Sequence, residues 1–245
     1  AIVALMAFVA KLAVRAYADS IARWYLPEPG TEALWPSALR LNNISNVPQP
    51  PFITTWRIEE LSNGSFDHRD SDVWVVAYPK SGTTWTQTIV GALLGSPIPG
   101  TGERDQRAYC PWPERALGRQ PQTMEEFKAR PSPRCLKSHW RATRHLAPDS
   151  GRGRVVFVMR NVVDVVESYY YHVLDLSLLF NYSGTWDEFF AEFSGGNVGS
   201  GSYFDYIASW WSQRSDPKVL FLRYEEMRRD PADAVRRIAA FLGIG

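Results

Sequence analysis

The sequence predicts an α/β fold of three layers, with a mostly parallel central sheet flanked by helices. Three observations predict it. From Asp72 onward, short β-branched runs alternate with helix-like stretches, the pattern that builds βα units. One of those runs, Val155 to Met159, is continuous Val and Phe, as expected of a strand buried on both faces of a parallel sheet. The residues that follow each run are unusually polar, and in such sheets ligands bind beyond the carboxyl ends of the strands. At 245 residues the chain is long enough for a full-sized core.

Ala1 to Ala10 are all apolar, but Lys11, Arg15 and Asp19 follow at once. That run is too short to span a bilayer, so a packed or peripheral helix is expected rather than a truncated signal anchor in contact with a membrane. Pro27-Glu28-Pro29-Gly30 and Pro48-Gln49-Pro50-Pro51 then break the chain. Residues 1–71 are therefore expected as an irregular segment with an apolar first helix, packed on a main domain of residues 72–245. In that domain Val73 to Ala77 reads as a strand and Thr84 to about Leu94 as a helix. Arg134 to Lys137 is a second, short strand. The third, Val155 to Met159, leads into a helix with Asn161 as N-cap and Asp164 at N3, a pair resembling a capping box, which runs through Tyr169 towards Leu176. A fourth run, Val219 to Leu222, precedes a helix from about Ala232 to Leu242. The apolar helical pattern has only just finished when the chain stops, which reads as a cut.

Composition excludes several function classes. Lys and Arg number 27 against 26 Asp and Glu, a net charge of +1, so no polybasic face points to nucleic acid. Cys110 and Cys135 are the whole cysteine content, which rules out a disulfide-dense scaffold or a four-thiolate zinc site and suits a reducing, cytoplasmic compartment. The sequons at Asn43, Asn63 and Asn181 keep a luminal alternative open. Aromatic residues are plentiful; Tyr109, Trp112, Trp140, Tyr170 and Tyr171 are candidate pocket walls, with core packing as the default for each.

The strongest chemical signal is Pro79-Lys80-Ser81-Gly82-Thr83-Thr84-Trp85, which joins a buried strand to a helix. Backbone N–H groups and the helix dipole face whatever occupies such a loop, and phosphate suits that field. Gly82 allows close approach; Ser81, Thr83 and Thr84 add hydroxyls; Lys80 adds a mobile point charge. The loop is P-loop-like without being the nucleotide-hydrolase motif, because Lys80 precedes Gly82 and no first Gly is present. The strands Val155 to Met159 and Val219 to Leu222 lead into Arg160 and Arg223, where a magnesium-binding acid would be needed. No metal is expected. Lys80, Lys137, His139 and Arg160 should converge on one sheet edge, an anion site with a base beside it. His68 and His145 read as ordinary satisfied side chains.

Tyr78 to Trp85, Lys137-Ser138-His139, Arg160 to Tyr171, Gly184 to Phe189, Gly201-Ser202-Tyr203 and Arg223 to Met227 together resemble the cytosolic sulfotransferases. The resemblance runs in order from about Asp72 to Leu242. It implies transfer of a sulfuryl group from the co-substrate 3′-phosphoadenosine 5′-phosphosulfate (PAPS) to a small-molecule alcohol, phenol or amine, or to carbohydrate if the chain is luminal. Lys80, Ser81, Gly82, Thr83 and Thr84 would hold the 5′-phosphosulfate, Trp85 would stack on adenine with Tyr224 nearby, and Arg160 and Ser168 would bind the 3′-phosphate. His139 matches the catalytic base, with Lys80 and Lys137 stabilising developing charge. The alternative is a non-catalytic adenosine 3′,5′-bisphosphate-binding module.

Departures from the family pattern bear on this reading. The family continues past residue 245 with a basic, glycine-containing loop and a dimerisation motif, so a homodimer is left open. Ser138 stands where Thr is common, and His172 stands where many members carry an aromatic facing the acceptor.

Overall fold

The computed structural model describes residues 39, 41–96, 110–116, 122–142, 153–176 and 180–244. The expected apolar first helix, Tyr109 and His145 lie outside them. Strands β1 (Asn42–Ile44) and β2 (Val47–Gln49) form an antiparallel hairpin. Its turn residues Ser45 and Asn46 both take positive φ, the geometry that matches the twist of a tight hairpin. Helix α1 (Thr55–Ser62) follows and buries Arg57, Ile58 and Leu61.

The α/β body begins at β3 (Val73–Ala77), buried at every position, and continues into helix α2 (Thr83–Leu93). A short helix α3 (Met124–Ala129) opens on a capping box between Thr123 and Glu126, ahead of β4 (Cys135–Ser138). Strand β5 (Arg154–Met159) leads into α4 (Val162–Asp175). Helices α5 (Trp186–Ser194) and α6 (Tyr203–Trp211) come next, then β6 (Val219–Arg223), α7 (Tyr224–Arg229) and α8 (Pro231–Leu242).

The main sheet has the order β4-β3-β5-β6 with every neighbour parallel. Period-two alternation sorts its side chains into two layers. Trp74, Val76, Leu136, Val155 and Phe157 pack with Val165, Tyr169, Phe189, Tyr206 and Trp210 of α4, α5 and α6. Val73, Val75, Ala77, Val156 and Val158 pack with Ile89 and Val90 of α2 and Ala234, Ile238 and Leu242 of α8. The three-layer expectation is met. None of the described helices is long and apolar enough to cross a membrane.

Details differ from the sequence reading. Strand β4 starts at Cys135 rather than Arg134, because the Arg134 side chain turns to Asp72: Nε donates to Oδ1 at 2.7 Å and Nη2 to Oδ2 at 2.6 Å. Asn161 caps α4 by accepting from the Val163 N–H, but there is no reciprocal capping box; the Asp164 carboxylate lies 3.6 Å from Arg160 Nε. Cys110 and Cys135 are joined in a disulfide, against the reducing compartment that two cysteines in 245 residues suit; the fold brings their Cα atoms to 4.6 Å. Trp140 is a core residue, 6% exposed, whose carbonyl accepts from Trp210 Nε1, and not a pocket wall.

Candidate active site

The carboxyl ends of β3, β4 and β5 carry the site. After Ala77 the chain turns through Tyr78–Gly82, and both Lys80 (φ 69°) and Gly82 (φ 101°) adopt left-handed backbone before α2 starts at Thr83. Successive backbone N–H groups in such a turn form a concavity that suits an anion. Ser81 Oγ and Thr83 Oγ1 are buried with no hydrogen-bond partner in the described chain, a costly state that a ligand's oxygens would relieve. This cradle fits a phosphosulfate.

The loop is held from behind. Tyr78 donates its hydroxyl hydrogen to the Gly201 carbonyl at 2.7 Å, and its ring meets Tyr203 edge-on at 5.2 Å. Ser202 caps α6 through the Asp205 N–H, and Thr185 caps α5 in a capping box with Glu188. These two motif segments thus brace the loop and the helices packed against it.

Arg160, just past β5, ties the loop to α4. Its Nη1 donates to the Lys80 carbonyl at 3.0 Å, and its guanidinium lies 4.6 Å from the Tyr224 ring centre. Tyr224 also meets Trp85 edge-on at 6.0 Å. Trp85, Arg160 and Tyr224 therefore share one end of the loop. Ser168 is half-buried within α4, and Thr84 is exposed in the first turn of α2.

Gly82 is required here for two reasons. Its φ is one that side chains rarely adopt, and a Cβ would stand 2.6 Å from Tyr224 Cδ2. Gly82→Ala is expected to displace the Tyr224 ring and weaken adenosine 3′,5′-bisphosphate binding by about tenfold or more, about 1.4 kcal/mol. Calorimetric titration checks this, and an unchanged affinity would remove Tyr224 from the nucleotide site.

On the other side, β4 presents Lys137 and His139. The His139 Nδ1 lies 2.6 Å from the Ala77 carbonyl oxygen. A carbonyl can only accept, so Nδ1 carries the hydrogen and Nε2 keeps its lone pair for a proton. Burial first, then Lys137, holds the His139 pKa well below the usual histidine value, against the opposing pull of the Ala77 bond. The ring is a neutral base at neutral pH.

The Lys137 ammonium sits over the face of Trp112, 4.2 Å from its centre, while the same indole meets His139 edge-to-face at 4.9 Å. Of the candidate pocket walls, Trp112 is the one seen to touch the site. Tyr170 and the exposed Tyr171 cluster with Trp186 instead. Burial, then neighbouring Arg115, lowers the Lys137 pKa to about 7. Burial lowers that of Lys80 to about 8, with Asp175 opposing and Arg160 assisting. His172, depressed by burial and by both lysines, completes the cluster. The arrangement is a poorly hydrated group of cations beside a neutral imidazole, suited to receive a polyanion and a proton.

Sequence reasoning missed Glu114, a buried carboxyl that accepts from the Ser138 hydroxyl at the end of β4. A Glu among prolines has no spacing that marks it, and only the fold brings it to β4.

Residues 70–245 match the sulfotransferase domain. The chain belongs to the sulfotransferase family. It is 36% identical over 201 residues to human sulfotransferase 1C2, covering 80% of this chain but 65% of that protein. Human sulfotransferase 4A1 is also 36% identical, with 80% of this chain and 66% of the relative covered. This family member therefore spans about two thirds of the length of those relatives. Among solved structures, mouse sulfotransferase SULT7A1 complexed with PAP superposes with a TM-score of 0.68 at 28% identity, covering 84% of this chain and 69% of the other.

Proposed function

We propose that the protein transfers a sulfuryl group from PAPS to a hydroxyl or amine of a small-molecule acceptor by direct in-line displacement. The observation that carries the reading is His139, whose Nδ1–H is committed to the Ala77 carbonyl and whose free Nε2 belongs to the same cluster as Lys80 and Lys137. The acceptor oxygen or nitrogen forms a bond to sulfur as the bond from sulfur to the bridging oxygen breaks. The acceptor proton passes to His139, and adenosine 3′,5′-bisphosphate leaves with the bridging electrons. Lys80 and Lys137 face the charge that grows on that oxygen, the kind of stabilisation that counts for most in a dry site. Ser81, Gly82, Thr83 and Thr84 hold the phosphosulfate, Trp85 and Tyr224 flank adenine, and Arg160 with Ser168 takes the 3′-phosphate. The PAP in the SULT7A1 structure supports this choice of nucleotide.

The test is calorimetric titration of the chain with adenosine 3′,5′-bisphosphate, against ADP with magnesium, at several pH values. A preference for the bisphosphate is expected. Arg160→Ala should remove it, since one Arg–phosphate bond is worth about 1.5–3 kcal/mol, roughly tenfold or more. In the free protein Lys137 and Lys80 lose their protons near 7 and 8. A bound anion raises both values, so above neutrality the complex holds more protons than the free protein. Binding should therefore take up protons, and affinity should fall as the pH rises through 7 and 8. Equal binding of both nucleotides, independent of Arg160, would overturn the donor assignment. Transfer of label from sulfur-labelled PAPS to a panel of phenols, alcohols and amines then tests the reaction.

A further inference from the structure

The transfer reading makes no use of the two cysteines, yet the bond between them lies next to the proposed reacting centre. Among the described strands β4 stands at one edge of the main sheet, and segment 110–116 is attached along it. Pro111 and Pro113 carry no N–H, so this segment cannot add to the sheet as a regular strand. Ahead of Trp112, the Lys137 N–H donates to the Pro111 carbonyl at 2.7 Å, and Gln87 Nε2 of α2 donates to the Cys110 carbonyl at 2.8 Å. Past Trp112, Glu114 accepts from the Ser138 hydroxyl, and the Ala116 N–H donates to the Phe52 carbonyl at 2.8 Å. Trp112 hangs between these anchors: its indole takes the Lys137 ammonium at 4.2 Å and meets the rings of His139 and Phe52 edge-on at 4.9 and 5.2 Å. Cys110, two residues before Trp112, is bonded to Cys135, two residues before Lys137. Side chains alternate along a strand, so Cys135 and Lys137 point to the same face of β4. The covalent link therefore stands beside the contact between Trp112 and Lys137.

We propose that the Cys110–Cys135 bond is a redox-sensitive fastening of the site: closed, it holds Trp112 against Lys137 and His139; open, it lets segment 110–116 lift from the edge of β4. Its effect on transfer rests on the reaction proposed above, whereas the lifting of the segment does not. Opening the bond needs a dithiol, which gives up two electrons and two protons. The bond between the two Sγ atoms breaks, Cys110 and Cys135 become thiols, and the reductant closes to its own disulfide. Cys110 and Cys135 are 1% and 4% exposed, so the reductant meets the sulfurs only as the segment lifts, and the exchange is slow. Once the bond is open, the anchors ahead of Trp112 are the hydrogen bonds from Gln87 and Lys137. Each is a small net gain over the same bond made to water, so the segment opens far more often than when it is covalently held. Trp112 then leaves the Lys137 ammonium and the His139 ring to water, and the alignment that a transfer needs is lost. The loop after β3 keeps its own brace, the Tyr78 hydroxyl on the Gly201 carbonyl, so the nucleotide side should change little.

The test compares the whole chain, isolated without reductant, before and after incubation with dithiothreitol. Peptide mapping should find Cys110 linked to Cys135 in the first state and two free thiols in the second. Amide hydrogen exchange then needs no acceptor. The Lys137 N–H, which donates to Pro111, is expected to exchange about tenfold faster or more in the reduced chain, while the amides of β5 keep their rates. Transfer from PAPS should fall by about tenfold or more on reduction and return when oxidised glutathione closes the bond again, with adenosine 3′,5′-bisphosphate affinity nearly constant. A Cys110→Ala, Cys135→Ala double variant should exchange as the reduced parent does and be indifferent to dithiothreitol. Free thiols in the untreated chain, a bond that dithiothreitol leaves closed in the folded chain, or an unchanged Lys137 exchange rate would each overturn the proposal. Faster exchange throughout β5 would do so too, since the bond would then be a staple of the whole fold. Faster exchange at Lys137 in a chain that transfers to no acceptor in either state would overturn the reaction and leave the fastening standing. Unchanged exchange with normal transfer would do the reverse.

Discussion

His139→Ala is expected to lower turnover by about 10²- to 10⁴-fold, the usual worth of a positioned general base, or about 3–5 kcal/mol of barrier. Adenosine 3′,5′-bisphosphate should bind the variant nearly as it binds the parent. In the proposed reaction the imidazole takes the acceptor proton, whereas the loop after β3 and Arg160 would hold the nucleotide. Steady-state kinetics beside a calorimetric titration separate the two quantities. Equal losses in turnover and in nucleotide affinity would sink the base assignment, since they would show His139 to be part of the binding surface or of the fold. The pH profile adds a check on sign. A base must be neutral, and burial with Lys137 holds the His139 pKa well below 6.5. Turnover should accordingly persist below that pH before the acid limb begins, and the limb should vanish with the imidazole.

Asp72→Ala is expected to cost about 3–5 kcal/mol of folding stability, the range for breaking a buried ion pair by removing one partner. Asp72 and Arg134 are each 1% exposed in their side chains. Arg134 would keep its Nη1 bond to the Phe127 carbonyl at 3.0 Å and its bond to the Asp67 carbonyl, but would lose the carboxylate that balances its charge. Asp72 also accepts the Arg69 N–H at 2.9 Å, so the turn into β3 loosens as well. Urea unfolding of parent and variant measures the difference. A loss under about 1 kcal/mol would show that water reaches the guanidinium once the carboxylate is gone. The pair lies at the amino ends of β3 and β4, the opposite end of the sheet from the site. Nucleotide affinity per folded molecule should therefore be unchanged.

Much of the α/β body was legible in the sequence for local reasons. Val73 to Ala77 is a β-branched run flanked by a polar turn, and it forms β3 with the predicted bounds. The capping residues Asn161, Thr185 and Ser202 stand where helices begin, because their oxygens take the first free N–H groups. The loop after β3 was legible because its chemistry is contiguous: the glycine, the hydroxyls and the lysine follow one another along one turn. The pocket walls were not. Trp140 and Trp112 look alike as aromatic residues in polar surroundings, yet one sits in the core and the other sits between Lys137 and His139. Residue type measures how much apolar surface a side chain offers, and does not say to which neighbour it offers it.

By itself the sequence determined the alternation of strands and helices, the glycine- and hydroxyl-rich turn after β3 and the cationic ends of the strands, since each depends on residues within a few positions of one another. Tertiary structure alone decided the pairing of Cys110 with Cys135, the His139 tautomer set by the Ala77 carbonyl, and the placing of Glu114 against Ser138. Those three depend on distances across 25, 62 and 24 residues of chain. They arise when parallel pairing brings the ends of β3 and β4 side by side and lays segment 110–116 along them. Desolvation in that packed corner then lowers the lysine and histidine pKa values, an effect of surroundings that no single residue carries in its own chemistry.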